Sequence, residues 1–352
     1  MKRRTFLLYS AASVAYSGVS IAAPIISAAV TNIDAVNEIK KLRIKSGVFA
    51  GGYQIAPLGK LNWYFTNLGL VSIVPYLSTN DLDLYIRSYL DLYLNRLEAN
   101  ASIKDVVFKN GNPLSGYDLL LSDSDDSYAV TFLSLVTMYI KASSNWTWWN
   151  KNKIKLKKVA YYNLAVPIKF NGLSSVFQSP RNKNNNTGYL MDNCEVYRGL
   201  RDFANMLRNT GDREADYYDT FANGIVTGIT TYLFDIANGG FIPNDTVSVA
   251  ETSFYAGTTC QVFPQAFGLV ELSSYFGTAW NYLNTQTPTW QNGSYDPYPW
   301  SILGFVAAQR GFISQAKTQM QTINNLFVSN RGLVTINELG FYQKTKSILA
   351  SA

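Results

Sequence analysis

The residues of this chain best suited to chemistry are carboxylates and aromatic side chains gathered just ahead of apolar helical runs. The densest group is Ser122-Asp123-Ser124-Asp125-Asp126-Ser127-Tyr128, which leads into Ala129-Val130-Thr131-Phe132-Leu133. Met191-Asp192-Asn193-Cys194-Glu195-Val196-Tyr197 has the same character, and Asp296-Pro297-Tyr298-Pro299-Trp300 opens another apolar run. Acids at a helix start meet unpaired backbone N–H groups and the positive end of the helix dipole, so any one of them alone reads as a cap. Ser122 or Asp123, followed three residues on by another acid, fits a capping box. Recurrence of such mixed groups at several helix starts favours a shared site. The chain has no histidine. That removes His general bases, Ser-His-Asp triads and His-ligated metals, and leaves Asp, Glu, Tyr, Lys and Cys as chemical actors. No spacing of cysteine with other ligands suggests a zinc site, and neither a metal nor a cofactor is expected.

Elements must hold these groups in place. At 352 residues and 47% hydrophobic, the chain can bury a substantial core. Apolar helical periodicity runs over 61–76 and 78–99, then 125–141 and 146–165, 189–208 and 213–235, 258–271 and 274–283, and from 296 to a stop at Gly311 with a return over 312–327. A final pattern over 333–349 can pair with 33–45 and close a ring. A short strand is expected at 105–108, loops at 111–120 and 172–188, and a possible strand at the start of 239–252. Hairpin starts at Asn62, Asp125, Asp192, Thr258 and Pro297 are roughly 40 to 65 residues apart, a repeat architecture. Long loops precede the first helix of each hairpin, so the first helices form an inner barrel. Their N-termini then converge on one bowl.

The acidic motif through Leu133 and the Met191–Tyr197 motif resemble those of the six-hairpin glycosidase superfamily, and more narrowly an exported bacterial group of glycosyl hydrolases. The resemblance spans about residues 48–330. It implies an all-α (α/α)6 toroid in a single domain, 30–352, with a few short strands in the loops. Asp123, Asp126, Ser127 and Tyr128 match the first motif, Asp192, Asn193 and Glu195 the second, and Asp296, Pro297 and Trp300 a D-P-x-P-W start. One departure stands out: Phe254-Tyr255-Ala256-Gly257 lacks the acid expected soon after the Phe-Tyr pair, and Glu251 is out of register.

Glycoside hydrolysis needs one carboxylic acid to protonate the leaving oxygen and a second carboxylate to activate water or attack the sugar. Asp126 and Asp192, from successive inner helices, are the expected catalytic pair. Asp123, Asn193, Glu195, Asn62 and Asp296 are expected to bind sugar hydroxyls. Tyr53, Tyr64, Tyr128, Tyr255, Tyr298 and Trp300 are expected to offer rings to pyranose faces. Asp125 is expected to be merely solvated.

The expected partner is thus a carbohydrate. Much of the net charge of +6 is local, in Lys2-Arg3-Arg4 and in Lys151, Lys153, Lys155, Lys157 and Lys158. The second run reads as a solvated helix face, and no nucleic-acid partner is expected. The first 29 residues, a basic start followed by an apolar stretch and small residues, read as a signal peptide with a twin-arginine-like Arg3-Arg4, and place the mature protein in the periplasm or outside the cell. Cys194 and Cys260 either pair or remain buried thiols. Two alternatives to hydrolysis stand: a polysaccharide lyase on the same toroid with a Tyr base, and a glycan-binding or assembly protein that has lost catalysis. Asp123-Ser124-Asp125-Asp126 also spells the motif of proton-initiated terpene cyclases, but their aromatic repeats are missing.

Overall fold

The computed structural model describes residues 32–178 and 186–351. The signal expected over 1–29 and residues 179–185 of the 172–188 loop lie outside them. α1 (Ala35–Lys41) is capped by Asp34. α2 (Trp63–Ile73) starts from Asn62, whose side-chain oxygen accepts the Phe65 N–H at 2.8 Å. α3 (79–96) returns from the Ser78 cap through one π-turn at Leu82–Arg87. The next hairpins are α4 (Asp126–Ser143) with α5 (Trp146–Ala160), and α6 (Leu190–Asn209) with α7 (Ala215–Tyr232). An irregular helical segment, 254–266, pairs with α8 (Phe276–Gln286). α9 (Ile302–Gln309) and α10 (Ile313–Ser329) follow, then α11 (Ile336–Ser351).

α2, α4, α6, the 254–266 segment, α9 and α11 lie side by side in that order, and α11 meets α2 again. These are the inner elements of the expected (α/α)6 toroid. α4 is buried on nearly every face, from Asp126 to Thr137 without a break, as a helix surrounded by protein must be. Backbones approach closely where the ring is tightest. A Cβ on Gly69 of α2 would stand 2.6 Å from the Ile336 side chain of α11, and one on Gly199 of α6 would stand 2.1 Å from the Val130 side chain of α4. α1 packs on α11 and completes the sixth hairpin. The chain just before α1 is tied there, with the Ile33 N–H donating to Tyr342 Oη at 3.3 Å.

Four local expectations are corrected. Residues of the expected 111–120 loop form β2 (Tyr117–Leu121), antiparallel to β1 (Lys104–Phe108); all of β2 is exposed, so no alternation marks it. The expected 258–271 helix is broken into Phe254–Thr258, Thr259–Val262 and Phe263–Ala266, with Tyr255 extended. Adjacent β-branched Thr258 and Thr259 and Pro264 explain the poor helix. The helix expected from 296 begins only at Ile302, because Pro297 and Pro299 hold the residues before them extended. Asp125 is buried rather than solvated. Its carboxylate accepts the Gln178 N–H at 3.1 Å, and its own N–H donates to the Val176 carbonyl at 2.8 Å. A short β3 (Phe234–Asp235) pairs with β4 (Gly240–Phe241). Cys194 and Cys260 are buried free thiols. Among the described residues no helix is long and apolar enough to cross a membrane, and no cluster of acids and cysteines could hold a metal ion.

Candidate active site

One bowl of about 620 Å³, its open mouth included, is lined by Asn62, Tyr64, Phe65, Leu68, Asp123, Glu195, Phe263, Phe267, Tyr298, Trp300, Ile302, Asn337, Glu338 and Phe341. The starts of the inner elements build it. Asn62 uses its side-chain oxygen to cap α2, which leaves its amide nitrogen to donate to Asp105 Oδ2 at 2.7 Å and to the Tyr128 hydroxyl. Tyr128 Oη donates to the same Asp105 oxygen at 2.9 Å. Asp105, on β1, is fully buried, and its Oδ1 has no hydrogen-bond partner. Burial lifts its carboxyl to about 7, opposed by the Lys60 ammonium and reinforced by the Asp123 charge. Burial in turn lowers Lys60 to about 8, against the pull of Asp105 and Asp123. Asp123 is half-buried and faces the bowl.

The second carboxylate on the bowl is Glu195, from the early part of α6. Tyr64 Oη donates to its Oε1 at 2.5 Å, and the Tyr64 ring stacks on Tyr128 with centroids 6.0 Å apart. The third is Glu338, in the first turn of α11. Its Oε2 accepts the Ser301 N–H and Oγ, both at 2.6 Å, and its Oε1 accepts Asn337 Nδ2 at 3.0 Å. Burial raises the Glu338 carboxyl above the usual glutamate range, and these donors moderate the rise. The lining beside Glu338 is aromatic. Trp300 stacks on Tyr255 with centroids 5.0 Å apart and meets Tyr298 edge-on at 5.3 Å. Its indole N–H is buried without a partner.

Of the residues expected from the sequence, Asn62, Tyr64, Asp123, Glu195, Tyr298 and Trp300 line this bowl. Tyr128 stands one layer below and Tyr255 behind Trp300. Asp126 and Asp192 do not line it. Asp126 is fully buried, with Oδ1 accepting the Ser127 N–H at 2.7 Å. Burial, and then the charge of Asp192, raise its carboxyl well above the usual range. Asp192 is buried as well. The two acids are neighbours within the packed first turns of α4 and α6.

Three other expected sugar-binding residues have different places. Tyr53 is core: its hydroxyl donates to the Tyr85 carbonyl at 2.9 Å and its ring meets Tyr89 edge-on. Asn193 pins the preceding loop, accepting the Ser174 N–H at 2.7 Å and donating to the Tyr189 carbonyl at 2.8 Å. Asp296 accepts the Tyr298 N–H at 2.9 Å and shapes the turn before α9. Glu338, Asp105 and Lys60 were missed by sequence reasoning. Thr335-Ile336-Asn337-Glu338 spells a capping box and could have flagged the first. A lone acid in a strand and a lysine in a glycine-containing loop carry no such signal.

No family model matches the chain, and no curated protein resembles it in sequence. Solved structures do resemble it. A glycosidase variant in complex with glucose superposes with a TM-score of 0.62 at 12% identity, covering 90% of this chain and 95% of that one. The two chains share a fold. A rhamnosidase from Klebsiella oxytoca with rhamnose bound gives 0.59 at 13% identity, over 84% of this chain and 55% of that one. A family 76 glycoside hydrolase from a bovine Bacteroides thetaiotaomicron strain gives 0.51 at 12% identity, over 90% of this chain and 77% of that one.

Proposed function

We propose that the protein is an exported glycoside hydrolase that cleaves a polysaccharide or oligosaccharide by carboxylate acid/base catalysis. The bowl carries this reading: Asp123 and Glu195, from adjacent inner walls, share a concave cavity with an aromatic wall. Such rings suit the apolar faces of pyranoses, and a pair of carboxyl groups is the chemical requirement for breaking a glycosidic bond. Glu195, which accepts the Tyr64 hydroxyl at 2.5 Å, suits the base or nucleophile. Asp123, half-buried and facing the bowl, suits the acid. In this reading Asp126 and Asp192, buried beside the bowl, support it and do not touch the sugar. Trp300, Asn337 and Glu338 line the same bowl. Export rests on the basic and apolar pattern of the first 29 residues. The glucose and rhamnose bound by two structural neighbours support a carbohydrate ligand.

The test is incubation with a panel of extracellular and capsular glycans, following reducing ends and ultraviolet absorbance together. Hydrolysis predicts new reducing ends without a new chromophore. An unsaturated, absorbing product would establish the lyase instead. Binding without turnover across the panel would establish a glycan-binding protein.

A further inference from the structure

We propose that a groove between the outer helices α5 and α7 is a second binding site, separate from the bowl, and that it holds a chain of acidic polysaccharide. Lys157, Lys158 and Tyr161 line it from the end of α5, and Arg213, Glu214 and Tyr217 from the start of α7. The space is about 930 Å³, its open side included, and none of these residues lines the bowl. That the ligand is a carbohydrate rests on the glycosidase reading of the bowl; that it is acidic rests on the groove.

The acids around the groove are already matched. Asp212 accepts Lys153 at 3.0 Å and Lys157 at 2.7 Å, and Glu214 accepts Lys157 at 2.9 Å. Asp216 pairs with Arg208 at 3.0 Å and Asp219 with Arg201 at 2.9 Å. Lys151, Lys155, Lys158 and Arg213 are exposed and make no ion pair among the described residues. The three lysines stand at i, i+4 and i+7 and so form one outward stripe on α5. Like charges at that spacing destabilise a helix. The helix dipole accounts for cations in the last turn of α5, but not for Lys151 and Lys155. An anion bound along the stripe relieves the repulsion between all three lysines. From Lys151 to Lys158 the stripe runs about 10 Å along the helix axis, which suits a polymer better than a single sugar.

A merely solvated basic face has no use for exposed rings. Tyr161 and Tyr217 are 48% and 43% exposed, yet each is steadied by a second ring, Tyr162 at 5.3 Å and Tyr218 at 5.2 Å. A ring can cover the apolar face of a pyranose while ammonium and guanidinium groups take its carboxylate or sulfate. The bowl offers the opposite charge: its lining holds Asp123, Glu195 and Glu338 and no cation among the described residues. Acidic units of a polymer therefore have their place at the groove.

The experiment reads binding without turnover. Labelled galacturonate oligomers, neutral dextran oligomers and a DNA duplex are titrated with the full chain at low and at raised salt. Galacturonate is expected to bind and dextran not, with the affinity falling as salt rises. The double variant Lys158→Ala/Arg213→Ala is expected to weaken galacturonate binding about tenfold. Tyr161→Ser/Tyr217→Ser, which leaves every charge in place, is expected to weaken it about fivefold. Circular dichroism verifies the fold of both variants. No binding of galacturonate by the wild type, or an affinity unchanged in both variants, would overturn the site. DNA bound as tightly as galacturonate, with neither affected by loss of the rings, would overturn the carbohydrate ligand in favour of a nucleic acid. Binding of galacturonate at the groove without cleavage of any glycan would remove the hydrolase reading and leave this site standing.

Discussion

In the proposed reaction, the hydrogen bond from Tyr64 bears on how Glu195 can act. A donor on a carboxylate stabilises its charge, so Tyr64→Phe should shift the acid limb of the kcat/KM profile to higher pH. A change in KM alone, with the limb unmoved, would assign Tyr64 to sugar binding only. Asp105 makes a second prediction, about stability. Folding raises its pKa from 3.8 to about 7, so the folded chain holds a proton that the unfolded chain has released across that window. Stability therefore falls as pH rises from about 4 to about 7 and remains lower above it. Asp105→Asn removes this dependence. The Tm of the variant relative to wild type should climb across that range and then level off, as calorimetry at a series of pH values would show. The sequence distinguished such residues only in part. Acid-rich helix starts pointed to Asp123 and Glu195, but nothing in a linear motif tells a carboxylate that faces the cavity from one, such as Asp126, turned one helical step into the packing. That difference of direction is set by tertiary contacts.

At the scale of elements, the bowl depends on how closely the inner helices approach. Gly199 lets α6 lie against Val130 of α4, and these helices carry Glu195 and, just before α4, Asp123. Gly199→Ala would force the pair apart and should cost about 1–3 kcal/mol in urea unfolding. Because it changes the separation of the two carboxylates, it should also lower kcat. A variant as stable as wild type would show that the helices can slide at no cost. The regular inner helices could be read from the sequence because their apolar periodicity is strong and their caps are ordinary. The 254–266 wall could not. Tyr255 is extended within it, and its place is fixed by stacking on Trp300 rather than by local propensity. β2 was hidden for the opposite reason, since a wholly exposed strand leaves no hydrophobic pattern.

On the scale of the whole molecule, ring closure turns separate hairpins into a cavity. α11 reaches α2 on one side and α1 on the other, so the last inner helix supplies Glu338 and Asn337 to a bowl whose other walls come from residues as early as Asn62. The leftover pattern at 333–349 foretold this closure, because an unpaired apolar helix in a repeat architecture needs a partner. The role of Glu338 in the bowl was not foretold, because that acid faces inward only once the ring is shut. The central claim is that carboxylates facing the bowl hydrolyse a glycosidic bond. Its most direct test is the kcat of Glu195→Gln on a glycan that the wild type cleaves, with circular dichroism to verify the fold. The account predicts a loss of about 10² to 10⁴. Wild-type turnover by a folded Glu195→Gln would contradict it.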